Sequence, residues 1–376
     1  MKDAEPTLVV PTTTDWEVER EGGTEKFIRN LAHEASLRHK PVEILSTGTR
    51  AVNNGSVKVR PVIPSARTEF AYIRALRRKL RRREVSLPGG AVVLANAEHY
   101  VWPFLEAQVP VLLLAHGAVP PTLRSTRGRL KTFVFEAFLE RRAVHRASRI
   151  LVVSEGTGAY YRAKFPESSW KVESISLGVD LDAVPSPESA RPEDRWCLGS
   201  GRPKVLFAGR LSREKGLPLL IEACVQVRAS GMPLHLAVAG DGPLRGWVRE
   251  QSSSKGWIHP LGRVPHSELM ELMGYSDLLA IGSSYEGLPT VLLEAVCAGL
   301  PVVSTNVGRA GELLSPANGV VVERSPRDFA DGIIRASRLD RALVGEAARE
   351  LRPRLDFRRT ADAIFEMSRR ALAEGS

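Results

Sequence analysis

The chain has 376 residues, 43% apolar and 26% charged, which is an ordinary globular composition with length enough for two domains, each with its own core. No apolar run approaches the ~18–20 residues of a membrane span, and the polar, acidic Met1-Lys2-Asp3-Ala4-Glu5-Pro6 does not resemble a signal peptide. The formal net charge is +10, and Cys197, Cys224 and Cys297, odd in number and without metal-ligand spacing, fit a reducing cytoplasm.

Short β-branched runs alternate with longer amphipathic ones, the pattern of an α/β protein with parallel sheets. In the first half strands are expected at Leu8–Val10, Val42–Ser46, Val57–Val62, Ala91–Ala95, Val109–Ala115, Arg149–Ser154 and Val172–Leu177. After the first strand, Gly22-Gly23-Thr24-Glu25-Lys26 opens a helix that buries Phe27 and Leu31, with Thr24 as its expected cap. Further on, Phe70, Ile73, Leu76 and Leu80 form one apolar stripe of a helix. Arg74, Arg77, Arg78, Lys79, Arg81, Arg82 and Arg83 crowd the same segment, most of them facing away from the stripe. That face is either simply solvated or a contact for anionic lipid headgroups or an anionic acceptor. Without aromatic interleaving or a binding motif, nucleic acid is not expected as a partner. His116-Gly117 follows Val111–Ala115 directly, at a strand's carboxyl end, where open α/β sheets bind ligands.

The pattern breaks from Asp182 to Arg202, where Pro185–Pro192 is polar and Pro-rich and suggests a linker. The expected domains are therefore 1–185 and 203–356, joined by 186–202, with a C-terminal helix in 357–376 packing back on the first domain. Asp180-Leu181-Asp182 is a literal Asp-x-Asp, but it ends the segment that closes the first domain and carries no metal expectation.

A second alternation has strands expected at Lys204–Ala208, Leu234–Ala239, Leu278–Ile281, Pro301–Ser304 and Gly319–Glu323. Three of its strand-to-helix turns carry chemistry. Gly209-Arg210-Leu211-Ser212-Arg213-Glu214-Lys215-Gly216 offers a guanidinium fork and a mobile ammonium, suited to a diphosphate. Ala239-Gly240-Asp241-Gly242-Pro243-Leu244 is a Gly-rich turn. Tyr285-Glu286-Gly287-Leu288-Pro289-Thr290-Val291-Leu292-Leu293-Glu294 puts one carboxylate at a strand mouth and another two turns into the next helix. Between them lie that helix's free amides, so the segment can hold a phosphate on backbone N–H groups and hydroxyls on carboxylates.

Taken in this order, the motifs resemble the retaining glycosyltransferases of family 4, which have the GT-B fold of two Rossmann-like doubly wound domains with a cleft between them. The resemblance covers nearly the whole chain and is strongest from Lys204 to Glu323. It implies transfer of a hexosyl group from a nucleoside-diphosphate sugar to an acceptor hydroxyl, without a metal or other cofactor. It places Gly22 and Gly23 near the donor's phosphates or the acceptor, His116 against the transferred sugar, and Arg210 and Lys215, in the loop opened by Gly209, on the leaving diphosphate. It places Gly240 and Asp241 near the base and ribose, Glu286 on the sugar hydroxyls and Glu294 on the ribose hydroxyls. It assigns the amides around Gly287, Leu288, Pro289, Thr290 and Val291 to the pyrophosphate. Two departures are visible: Gly282-Ser283 where relatives often have Pro-Ser, and Gly308-Arg309-Ala310-Gly311-Glu312 where they often have Gly-Gly. An epimerase of the same fold and a non-catalytic nucleotide-sugar-binding subunit are the alternatives. A cytoplasmic protein is expected, with peripheral contact to a membrane surface through Arg74, Arg77, Arg78, Arg81 and Arg82.

Overall fold

The computed structural model describes residues 5–16, 22–66, 68–117, 129–189 and 195–375, without the side chains of 129–137. The chain forms two units, one of Met1–Ser176 with Arg358–Ser376 and one of Leu177–Phe357.

In unit 1 the elements are β1 (Thr7–Asp15), α1 (Gly23–Leu37), β2 (Val42–Thr47), β3 (Val52–Asn53), β4 (Val57–Ile63), α2 (Glu69–Arg81), β5 (Ala91–Ala95), α3 (Glu98–Val101), β6 (Val111–Ala115), α4 (Arg129–Arg146), β7 (Arg149–Val152), α5 (Glu155–Lys164) and β8 (Val172–Ser174). The strands order as β3-β4-β2-β1-β5-β6-β7-β8. All pairs are parallel except β3 with β4, so the order reverses between β1 and β5. β1 runs further than its apolar core predicts, into Thr12-Thr13-Thr14. Pro11 lacks an N–H, and it falls where pairing is recorded to β2 but no longer to β5.

Unit 2 contains β9 (Lys204–Ala208), α6 (Leu217–Ala229), β10 (His235–Ala239), α7 (Arg245–Ser254), β11 (Ile258–Gly262), α8 (His266–Tyr275), β12 (Leu278–Ile281), α9 (Thr290–Cys297), β13 (Val302–Thr305), α10 (Ala310–Leu313), β14 (Gly319–Val322), α11 (Pro326–Ala336) and α12 (Arg341–Leu351). Its sheet is fully parallel, in the order β11-β10-β9-β12-β13-β14, and reverses between β9 and β12. Alternate residues feed opposite cores: Leu206, Leu279 and Ile281 face one, and Val205, Phe207, Leu278 and Ala280 face the other. Helices cover both faces, which is why these strands are apolar throughout rather than at every second residue.

The last helix, α13 (Phe357–Glu374), belongs to unit 1 from Arg358 onward. Thr360 Oγ1 donates to Ser176 O at 2.8 Å, and Glu374 pairs with Arg149 at 2.6 Å.

Three expectations need correction. The chain crosses between units at Ser176–Leu177 and Phe357–Arg358, not in 186–202. The described part of the Pro-rich segment is tied to unit 2. Arg352 donates to the carbonyls of Leu181, Val184 and Pro185, and Arg349 pairs with Glu188 at 2.8 Å. Thr24 does not cap α1; Gly22 is its N-cap, with no side-chain cap bond. On α2 the buried residues are Tyr72, Ile73, Ala75 and Leu76, whereas Phe70 is 39% exposed. Among the described residues no helix is long and apolar enough to cross a membrane.

Candidate functional site

The three glycine-bearing turns of unit 2 follow β9, β10 and β12, the strands at and beside its switch point, and backbone bonds sew them together. Gly209 N donates to Ala239 O at 3.0 Å, Leu211 N to Asp241 O at 2.9 Å, and Leu244 N to Leu211 O at 2.9 Å. Ser284 N donates to Glu214 O at 2.8 Å, which joins the β9 turn to the β12 turn. Two glycines allow these approaches. Gly216 (φ +73°) and Gly240 (φ +143°) lie in backbone that L side chains avoid, and a Cβ on either would fall on a carbonyl oxygen, of Gly282 and Gly209 respectively.

On this frame Lys215 Nζ forms an ion pair with Glu286 Oε1, and the same oxygen accepts from Ser283 Oγ at 2.7 Å. Ser283 is fixed in turn, since its carbonyl accepts from Thr305 Oγ1 at 2.7 Å. Glu286 is therefore held by groups from both turns. Arg210 is exposed on the β9 turn, and its side chain makes no ion pair or hydrogen bond to another described residue. Glu214 lies between the two cations in sequence. Its own backbone amide, then the Ser212 side chain and last the charges of Arg210 and Lys215, hold its carboxyl below the usual range. Asp241 Oδ1 accepts from Gly242 N at 2.8 Å, and Arg245 lies 3.6 Å from its other oxygen.

α9 begins at Thr290 after Pro289, with no side-chain cap. Leu292 N already donates to Pro289 O at 3.0 Å, so the N–H groups of Thr290 and Val291 are the ones left without an intrahelical acceptor, and the partial positive charge of the helix end adds to them. Gly287, Leu288 and Pro289 lead into this end. Glu294 is the fifth residue of α9, just past one turn rather than two turns in. Its side chain is almost fully buried, and Oε1 lies 3.0 Å from His266 Nε2 at the start of α8. Motif reasoning gave His266 no role; the contact spans 28 positions and has no local signature. Arg309, the unusual residue after β13, pairs with Glu312 at 2.7 Å on its own short helix.

In unit 1, His116 follows β6, and its Nε2 bonds Asn96 Oδ1 just beyond β5. Phe27 of α1 meets the imidazole edge-on, centroids 5.8 Å apart. Burial pushes the ring's pKa down to about 4, so it is neutral at physiological pH. Gly22 and Gly23 start α1, and the Glu25 carboxylate folds back over Gly22.

Asp180 Oδ1 accepts from Asp182 N at 3.0 Å, a local turn within the Asp-x-Asp. No group of three or more metal-ligating side chains gathers among the described residues. Of the basic residues on and after α2, Arg77 and Arg81 pair with Glu106 and Arg82 lies 3.8 Å from Glu84. Arg74 and Arg78 are exposed with no ion pair among the described residues.

Two family models divide the chain much as the units do: Glycosyltransferase Family 4 matches residues 21–183 and Glycosyl transferases group 1 matches residues 191–351. The chain belongs to this family of GT-B glycosyltransferases. A Bacillus subtilis protein named as a teichuronic acid biosynthesis glycosyltransferase is 27% identical over 286 residues, 72% of this chain and 66% of that one. The glycogen synthase of Mycobacterium tuberculosis is 33% identical over 172 residues, 43% of this chain and 41% of that one. The matches thus span less than two thirds of these relatives' own lengths. Sucrose-phosphate synthase from Thermosynechococcus elongatus shares the GT-B fold, with a TM-score of 0.80 at 18% identity over 98% of this chain and 100% of that one.

Proposed function

We propose that the protein is a retaining glycosyltransferase that moves a hexosyl group from a nucleoside-diphosphate sugar to an acceptor hydroxyl. The observation that carries this reading is the gathering in unit 2 of opposite charges around open backbone donors. Arg210 and Lys215 stand on the β9 turn and Glu286 on the β12 turn, beside the uncapped start of α9. A diphosphate satisfies the cations and the amides, and sugar hydroxyls satisfy Glu286. Glu294 is buried one turn along α9 and braced by His266, a rigid acceptor for ribose hydroxyls. Unit 2 is assigned the donor and unit 1, with His116, the acceptor side.

In the step proposed, the bond from the anomeric carbon to the β-phosphate oxygen breaks and its electron pair goes to the diphosphate. The acceptor oxygen bonds to the anomeric carbon on the same face, and its proton passes to the departing phosphate. The fixed cations and amides stabilise the charge that develops on the leaving oxygen, a contribution that needs no reorganisation at the moment of reaction. Protein cations are assigned this role, so turnover should persist in EDTA; full loss in EDTA would reject that assignment. NMR of the product's anomeric centre tests retention, and inversion would refute it.

The acceptor is proposed to be anionic or membrane-borne. Arg74 and Arg78, without an ion pair among the described residues, present guanidiniums on the same helix as the half-exposed Phe70, a face suited to anionic headgroups. Co-sedimentation with vesicles containing phosphatidylglycerol, but not with purely zwitterionic ones, is expected. Equal recovery with both would remove the membrane surface from the reading.

A further inference from the structure

We propose that Asn96 is a positioning residue of unit 1: its Oδ1 fixes the ring proton of His116 on Nε2, and its Nδ2, without a partner among the described residues, is left to donate to a hydroxyl oxygen of a sugar substrate. β5 and β6 are adjacent and parallel, with Ala95 opposite Leu113. Asn96 and His116, each the residue after its strand, therefore emerge along the same edge of the sheet. An amide oxygen only accepts, so the ring nitrogen facing it must donate, and a neutral imidazole then keeps its lone pair on Nδ1. Phe27, edge-on at an interplanar angle of 83°, sets the ring plane. Phe27 and Asn96, the side chains recorded against the imidazole, are both uncharged.

The second half of the proposal rests on the other end of the same amide. Asn96 is 4% exposed, and its Nδ2 has no hydrogen-bond partner among the described residues. Buried amides in native proteins are rarely left this way. The threonine hydroxyls at the end of β1 are already engaged: those of Thr12 and Thr14 bond each other at 2.8 Å, and that of Thr13 meets Tyr100 at 3.2 Å. A donor kept dry and without an acceptor, at the carboxyl edge of a doubly wound sheet, suits a ligand oxygen. Reversing the amide would put Nδ2 against Nε2 and move the ring proton to Nδ1. The two arrangements therefore predict opposite tautomers. The role toward substrate rests on the function proposed above; the tautomer does not.

The test uses the full chain labelled with ¹⁵N-histidine, with the His116 signal among the 8 histidines assigned by its loss in His116→Gln. The wild type should show a neutral Nε2–H ring from pH 5.5 to 8. Asn96→Ala should give mixed tautomers, and Asn96→Asp should raise the ring's protonation midpoint by about one pH unit or more, because a carboxylate then faces the imidazole. Should the alanine variant fail to melt cooperatively, the near-isosteric Asp variant and Asn96→Ser carry the measurement. In folded variants transfer kcat should fall about 10–100-fold, while the melting shift given by the free nucleoside diphosphate stays at the wild-type value. An Nδ1–H ring in the wild type, or an unaltered His116 signal in every variant, overturns the positioning role. An altered signal with wild-type kcat overturns the substrate contact alone. A wild type that turns over no nucleoside-diphosphate sugar, with the NMR outcome as expected, leaves the tautomer standing and sinks the function.

Discussion

The two units share a doubly wound architecture and differ in what they place at the carboxyl ends of their strands. In unit 2 the turns after β9 and β12 carry opposite charges that meet directly, Lys215 on Glu286, and a buried carboxylate, Glu294, stands one helical turn away. In unit 1 the ends of β1 and β5 bury hydroxyls and an amide, Thr12, Thr14 and Asn96, and the end of β6 sets the neutral, partly buried imidazole of His116 beside that amide. The same topology thus supports directly paired charges in one unit and a buried amide beside a neutral imidazole in the other. A diphosphate needs the first; a hydroxyl to be aligned without competing ion pairs needs the second. Topology fixes where a ligand binds, and the turn residues fix its charge class.

Substitutions that break this contrast should be most costly in unit 2. Lys215→Ala is expected to lower sugar transfer by about 10²–10³-fold, the scale of losing one preorganised donor to a developing anion. Near wild-type turnover would remove Lys215 from the phosphate role. Glu286→Ala should lower kcat about 10–100-fold and change nucleotide affinity less than twofold, since its assigned partners are on the sugar. Calorimetry showing the nucleotide lost along with kcat would contradict that division.

The effect expected in unit 1 is smaller and appears as acid sensitivity. The desolvated imidazole of His116 takes up its proton near pH 4 when folded, against about 6.5 when unfolded. Between these values the unfolded chain binds more protons, so stability falls as pH drops through this window and changes no further on this account below it. Urea midpoints recorded from pH 7.5 to 4.5 should fall less steeply in His116→Gln than in the wild type. Parallel curves would mean that His116 titrates normally in the folded protein.

Much of the fold was legible because parallel strands buried on both faces are short apolar runs; Ala91–Ala95, Lys204–Ala208 and Leu278–Ile281 coincide with β5, β9 and β12. β11 escaped notice because Ile-His-Pro-Leu-Gly at a sheet edge has neither alternation nor an unbroken apolar run, and Pro260 is tolerated there because the edge needs fewer N–H donors. The unit boundary misled for a different reason. Pro-rich composition marks irregular backbone, not free backbone, and Arg352 ties that backbone down from some 170 residues away. The true crossing has no compositional sign. There Val179 and Asp356 form a parallel bridge that pairs the outgoing and returning chain.

The candidate site shows the same divide. Arg210, Lys215, Glu286 and Glu294 fall in short strings after strands, so their places along the chain were visible. The pairing of Lys215 with Glu286, of Glu294 with His266 and of His116 with Asn96 was not. These contacts join positions 71, 28 and 20 apart and depend on which strands lie side by side. Local rules speak to motifs, whereas the sheet order decides which motifs meet.

The central claim is that unit 2 holds a nucleoside diphosphate with Glu294 on its ribose. Isothermal calorimetry of UDP-, GDP-, ADP- and dTDP-sugars against the wild type and Glu294→Ala tests it most directly. The account predicts saturable binding of at least one of these donors by the wild type, weakened about 10-fold or more in the variant, the scale of a lost charge-assisted hydrogen bond. No binding by any donor, or equal affinity in both proteins, would contradict it.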